Sequence, residues 1–101
     1  MSNQELAKIL YEMAALLEIK EVAFKPQAYE RAAYSIEALA EDVDDIYKKG
    51  GLKALEDIPG VGQGIAERIE EYIKTGRIAD HDKLKKSFPV DIGGLMAIEG
   101  V

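Results

Sequence analysis

A short turn with the sequence Pro-Gly-Val-Gly constrains the fold of this chain more than any other feature. It occupies residues 59–62, after the apolar positions Leu55 and Ile58 and before a helical pattern over residues 65–73. Glycines in such a turn leave backbone N–H groups with no side chain in front of them. With the positive end of the following helix dipole, these groups are suited to bind a phosphate. The alternative is a tight connection between two helices that binds no ligand.

The same pattern begins again at the end of the chain. Residues 95–101 repeat residues 55–61 at a constant offset of 40, with identical leucine, isoleucine, glycine and valine positions. The repeat stops before the second glycine, so we expect the chain to be a fragment of a longer protein. We predict one domain over residues 1–90 and the truncated start of a second unit over residues 91–101.

Composition is that of a globular protein. The chain has 101 residues, of which 48% are hydrophobic and 32% are charged, which predicts one domain with a small core. It has no cysteine, which excludes a disulfide framework or a thiolate metal site. The N-terminus lacks the plan of a signal peptide, and no apolar run approaches the length that spans a membrane. We therefore expect a cytoplasmic monomer with no membrane partner.

The charge is acidic overall but unevenly distributed. A net charge of −6 argues against strong nucleic-acid binding, because lysine and arginine supply most of the non-specific affinity for phosphate. Residues 74–86 nevertheless carry five basic side chains against two acidic ones. The basic ones are Lys74, Arg77, Lys83, Lys85 and Lys86. Because they follow the glycine turn, DNA remains a candidate partner, with modest affinity.

Apolar residues recur at three- and four-residue steps along most of the chain, which predicts helices. The first begins at a capping box formed by Ser2 and Glu5, and its apolar positions extend to Leu17. The second helix is predicted to begin near Pro26. Proline is favoured in the first turn of a helix, because the N–H that it lacks would have no hydrogen-bond partner there. Further helical segments are predicted over residues 42–49 and 52–57, from residue 62 or 63 to 75, and from residue 80 or 81 to 87. The predicted class is all-α, a compact bundle of four or more short helices.

An apolar–x–x–apolar-Pro-Gly-Val-Gly turn between two helices resembles the helix-hairpin-helix motif of DNA-repair and replication proteins. The rest of the chain is similar to the N-terminal domain of family X DNA polymerases, the group that includes DNA polymerase beta. The segments that carry this resemblance are ELAKIL from Glu5, LLEIK from Leu16, FKPQAYERAA from Phe24, IAERIEEY from Ile65, and Thr75-Gly76. Together they cover essentially the whole chain. The details resemble bacterial and archaeal members, whose later domains add a polymerase palm and often an exonuclease domain.

The resemblance implies a DNA-binding domain that binds gapped DNA near a 5′-phosphate during repair synthesis. With the glycine turn, it predicts that the DNA contacts are Lys25, Tyr29, Gly60, Val61, Gly62, Gly64 and Arg68. Lys83, Lys85 and Lys86 are expected to contact phosphate at the periphery if their helix faces the DNA. The glycines and Val61 are expected to act as backbone donors. Lys25 and Tyr29 are four residues apart on one helix, so a cation and a phenol face the same side. The alternative is a solvated lysine beside a half-buried core tyrosine.

The family also implies a monovalent cation, Na⁺ or K⁺, between the hairpin and a DNA phosphate. The carbonyls that would hold it are those of Glu56, Ile58 and Val61, and main-chain oxygens suit a hard cation. No other cofactor is expected here, because Mg²⁺ belongs to a polymerase domain that this chain lacks. A side-chain metal site at Asp80, His81 and Asp82 is less well supported, since adjacent residues at a helix start point in different directions. Asp80 is expected to cap its helix and His81 to lie at the surface.

Family members can also remove an abasic sugar phosphate as lyases, through a neutral lysine that forms a Schiff base. That lysine falls on Arg68 here, and a guanidinium stays protonated. Three further basic positions of the family fall on Glu56, Gly64 and Asp80. We therefore predict that lyase activity is absent or very weak, and that the chain, without a palm, does not polymerise. Two alternatives remain open: a lyase that uses a substitute amine (Lys25, Lys74 or Lys85), and a protein-interaction module.

Overall fold

A computed structural model describes residues 3–87, which form five helices. They are α1 (Asn3–Ile19), α2 (Lys25–Ala38), α3 (Val43–Glu56), α4 (Gln63–Thr75) and α5 (Ala79–Lys86). No strand occurs within these residues, so the all-α prediction is confirmed. None of these helices is both long and apolar enough to span a bilayer. The predicted cap at Ser2 and the predicted second unit at 91–101 lie outside the described residues.

The core lies between the helices, on the side of each helix where apolar residues recur. Helix α1 packs along α2 and also against α5, while α3 packs against α4. The largest fully buried side chains are Leu6, Leu10, Met13, Ile36, Val43, Leu55, Ile69 and Ile78. Each such residue contributes about 1.5–3 kcal/mol relative to an exposed one. The core therefore draws on every helix except α5, whose first turn follows Ile78.

Helix α3 contains a break that separates it into the two helical segments expected from the sequence. Gly51 has φ 69° and ψ −157°, a conformation that residues with a Cβ rarely adopt. Val43 before the break and Leu55 after it are both buried. The second half of α3 ends at Glu56, three residues before Pro59, where the glycine turn begins.

The glycine turn is anchored by its apolar residues. Leu55, Ile58 and Val61 are buried, and the Val61 N–H donates to the carbonyl of Ile58 at 3.0 Å. Gly60 has φ +82°, and a Cβ on it would lie 2.8 Å from Cγ of Arg31 on α2. The turn therefore lies directly against α2, and only glycine fits at its tightest point.

Helix α5 begins at Ala79, one residue earlier than expected, and the roles predicted for two of its residues were wrong. The residue before the helix is Ile78, so Asp80 is not its N-cap. The Asp80 carboxylate instead accepts a hydrogen bond from Arg68 Nε at 2.7 Å. His81 is only 8% exposed, and its Nε2 lies 2.7 Å from Glu12 Oε1 on α1. Asp80 therefore faces α4 and His81 faces α1, which a local capping pattern does not reveal.

Candidate nucleic-acid interface

The glycine turn opens onto a groove of about 600 Å³, which we call the hairpin groove. Residues of α2 between 25 and 31 line one side, and residues 60–68 line the other. All seven residues expected to contact DNA line this groove: Lys25, Tyr29, Gly60, Val61, Gly62, Gly64 and Arg68. Arg31 also lines it and was missed, because in the sequence it is one of several charged residues on α2. The structure thus brings the whole predicted set together.

The free backbone donors of the hairpin groove lie in the glycine turn and at the start of α4. The first helical hydrogen bond runs from the Ala66 N–H to the Gly62 carbonyl at 2.8 Å. The N–H groups of residues 63–65 have no hydrogen-bond partner within the part of the chain that the structure describes. Val61 was expected to be a donor, but its N–H is used by the Ile58 carbonyl. The N–H groups of Gly60 and Gly62 likewise have no partner among the described residues, so of the four expected backbone donors only Val61 is lost. The N–H groups of residues 63–65 coincide with the positive end of the α4 dipole.

Arg68 lies where this groove meets a second one. Its Nη1 donates to the carbonyl of Gly64 at 2.8 Å, and its Nε and Nη2 both contact Oδ2 of Asp80. Burial disfavours its charge, but Tyr29, Asp80 and Glu67 outweigh that effect and raise the pKa of Arg68 above its ordinary value. The side chain is therefore a permanent cation next to the start of α4.

Tyr29 belongs both to the core and to the groove. It is 7% exposed and packs within the main hydrophobic cluster, yet it lines the hairpin groove beside Arg68. Burial raises the pKa of Tyr29, although the positive charge of Arg68 opposes the shift. Its phenol therefore stays protonated and can donate a hydrogen bond at neutral pH. The two alternatives given by the sequence, core residue and contact residue, are compatible.

A second cavity of about 360 Å³, the lysine groove, adjoins the first and shares Lys25, Tyr29 and Arg68 with it. Its other charged residues are Lys20, Lys83 and Asp80, above an apolar base formed by Met13, Leu17 and Leu84. Lys83 was expected at the periphery, whereas Lys20 was not expected in the site. Lys85 and Lys86 line neither groove.

Positive charge is concentrated at these two grooves. Five basic side chains and one carboxylate, that of Asp80, line them, although the chain as a whole carries a net charge of −6. Two other basic residues near the end of the described chain are paired with acids. Lys74 lies 3.7 Å from Glu70, and Nη2 of Arg77 lies 2.6 Å from Asp82. Within residues 3–87 no group of three or more His, Cys, Asp or Glu side chains that could hold a metal ion occurs.

Comparison with known proteins identifies the family. No curated protein matches the chain. A family model described as a helix-hairpin-helix domain matches residues 1–78, which include α1 to α4, the glycine turn and all seven expected contact residues. The match ends just before α5. This match supports nucleic-acid binding in general terms, and the closer resemblance to family X polymerases stays a prediction. The chain belongs to the helix-hairpin-helix domain family.

Proposed function

We propose that this chain is a DNA-binding domain that binds backbone phosphate in the hairpin groove. It would be the N-terminal part of a family X DNA polymerase, and its ligands would be gapped DNA or 5′-phosphate ends. One observation carries the proposal. The unpartnered N–H groups of residues 63–65 lie at the groove that Lys25, Arg31 and Arg68 also line. Fixed amides and nearby cations together form the kind of site that holds a phosphate at a helix N-terminus.

Backbone donors explain how so acidic a protein could bind DNA. The helix holds these donors in place, so they bind phosphate without the entropy cost of ordering a side chain. Only a few phosphates can be neutralised by the cations of the groove. The logarithm of the affinity is therefore expected to fall with the logarithm of salt concentration with a slope of about −2 to −4. A protein-interaction module, the rival hypothesis, predicts no salt-dependent binding to DNA.

The substitution Gly62→Asp tests the donors directly. Gly62 has φ −87°, and a Cβ there meets nothing within 4 Å, so the fold accepts a side chain. Aspartate is a preferred N-cap residue, so its carboxylate would bond the amides of α4 and repel phosphate. We expect a variant at least as stable as the parent, with affinity for 5′-phosphorylated gapped DNA reduced by about tenfold or more, since a charge-assisted contact is lost and a repulsion is gained.

The measurement is a titration followed by amide NMR shifts at residues 60–65. Gln4→Asp is the matched control, because Gln4 is exposed in the first turn of α1, outside both grooves. It adds the same charge and leaves the donors of α4 untouched. If folded Gly62→Asp bound DNA as tightly as Gln4→Asp, phosphate binding by these amides would be disproved.

We also propose a monovalent cation at the turn, held by the carbonyls of Glu56, Ile58 and Val61. Within residues 3–87, those of Glu56 and Val61 accept no hydrogen bond, and that of Ile58 accepts one, from the Val61 N–H. Free main-chain oxygens are ligands that suit a hard cation. DNA binding should therefore be weaker in tetramethylammonium chloride, whose cation is too large, than in KCl or NaCl at equal ionic strength. Equal affinity in all three salts would contradict the cation site.

A further inference from the structure

Asp80 contacts two of the three guanidinium nitrogens of Arg68. A guanidinium has five N–H donors. Nε and Nη2 of Arg68 each use one on Oδ2 of Asp80, and Nη1 uses one on the carbonyl of Gly64. The Nε–Nη2 edge, which matches a phosphate as well as it matches a carboxylate, is therefore occupied. Among the described residues that line the two grooves, Asp80 is also the one that carries a carboxylate.

The backbone of Asp80 is fixed from both sides. Before it, Ile78 is buried, and the Ala79 N–H donates to Oε2 of Glu71 on α4 at 2.9 Å. After it, His81 is buried against α1 and contacts Glu12. The carboxylate can therefore leave Arg68 by rotating its side chain, without movement of α5.

We propose that Asp80 is an internal competitor for phosphate, which occupies Arg68 in the free protein and is displaced when nucleic acid binds. The inference rests on the proposed function, because the ligand is the same DNA phosphate in the hairpin groove. Arg68 is tied to Gly64, so its guanidinium already lies beside the amides that would hold that phosphate. Asp80 thus lowers the affinity and the salt dependence of the site.

Displacement of the Asp80 carboxylate from Arg68 costs little free energy, for two reasons. The side chains of Arg68 and Asp80 are 30% and 39% exposed, and ion pairs with this much exposure are weak. Asp80 also has another cation available, because Lys83 lies three residues further along α5, where side chains of one helix are neighbours, and lines the same lysine groove. The released carboxylate therefore keeps a counter-charge while the phosphate takes Arg68.

The pair Asp80→Asn and Asp82→Asn tests this competition. Both variants remove one negative charge from α5, but Asp82 pairs with Arg77 and lines neither groove. We expect Asp80→Asn to bind 5′-phosphorylated gapped DNA about three- to tenfold more tightly at low salt, because a charge-assisted contact becomes available. Its salt slope should steepen by about 0.9, the value for one further phosphate neutralised. Asp82→Asn should change the affinity by less than about twofold, since exposed charges at a distance are screened.

The same comparison in an Arg68→Met variant shows whether the gain in DNA affinity depends on Arg68. In Arg68→Met, adding Asp80→Asn should change affinity no more than adding Asp82→Asn. An equal gain with and without Arg68, or equal affinities of the two single variants, would overturn the competitor role while leaving DNA binding intact. Absence of any amide shift at residues 60–65 in the wild-type protein would instead disprove the proposed function, and the competitor role with it. Amide spectra without DNA confirm that each variant folds.

Discussion

At the scale of single residues, the three glycines between residues 60 and 64 have different environments and different roles. Gly60 combines φ +82° with a close approach to Arg31, so it is required by the fold. Gly62 faces open space with a negative φ, so the fold does not require it. A Cβ on Gly64 would meet Nη1 of Arg68 at 3.7 Å, an ordinary contact. Gly62 and Gly64 are therefore explained better by access of a ligand to the backbone than by folding.

This difference gives a stability prediction. Gly60→Ala should lower the free energy of unfolding by about 1–3 kcal/mol, since the left-handed conformation is strained for alanine and Arg31 must also move. Gly62→Ala should change it by less than about 0.5 kcal/mol, as expected for a surface substitution. Urea denaturation of the two variants measures both values. Equal effects would show that the turn does not have the geometry described.

Tyr29 gives a prediction about pH. Its pKa is raised in the folded protein, mainly by burial. An acid whose pKa is raised by folding stabilises the folded protein as long as it stays protonated. This stabilisation is complete below the pKa of the unfolded state, about 10 for tyrosine, and is lost as the pH rises above that value. Stability should therefore fall between pH 9 and pH 11, and it should fall less in Tyr29→Phe, which has no phenol to ionise. Urea denaturation at the two pH values measures the difference, and the same loss in both proteins would contradict this assignment.

At the scale of helices, elements with local end signals were predicted well. Helix α4 runs from Gln63 to Thr75, as expected, because Gly62 precedes it and Gly76, with φ +81°, ends it. The start of α5 was missed because its determinants are distant in sequence. The carboxylate of Glu71 accepts the Ala79 N–H, and His81 contacts Glu12 on α1. Neither partner can be identified from the sequence around α5.

Asn3 is a second case in which a distant contact positions a helix. Its Nδ2 donates to the Glu41 carbonyl at 2.8 Å, and its Oδ1 accepts the Val43 N–H at 2.9 Å. The start of α1 is thus joined to the start of α3. We expect Asn3→Ala to lower the free energy of unfolding by about 1–2 kcal/mol, because two hydrogen bonds are lost and one partner is a helix N-terminal N–H.

Thermal unfolding monitored by circular dichroism tests this, with Gln4→Ala as the control, because Gln4 is exposed in the same turn. An Asn3→Ala variant as stable as the control would show that the contact contributes nothing.

At the scale of the whole molecule, the sequence predicted most of the residues that line the hairpin groove but not how they are paired. The glycine turn and the Lys25–Tyr29 spacing are local patterns, so their shared groove could be expected. The contact between Arg68 and Asp80 could not be expected from the sequence, because it depends on how α5 packs against the other helices. Lys20 was missed for a similar reason, since its place in the lysine groove depends on where the end of α1 meets α5.

The placement of the lysines bears on the lyase alternative. Of the three substitute amines considered, Lys74 pairs with Glu70 and Lys85 lines neither groove. Lys25 lines both, but it is exposed, whereas a catalytic lysine needs a desolvated setting to become a neutral amine. We predict no borohydride-trapped adduct with abasic DNA. An adduct that is lost in Lys25→Ala would establish the lyase, and Lys85→Ala is the control.

The loop between α1 and α2 has a practical use. Phe24, directly before Lys25, has φ 69° and is 86% exposed, so an indole at this position would displace nothing from the interior. The chain has no tryptophan of its own. A Phe24→Trp variant would therefore place a single tryptophan directly before Lys25, which lines both grooves, and its emission would report the arrival of a ligand in stopped-flow experiments.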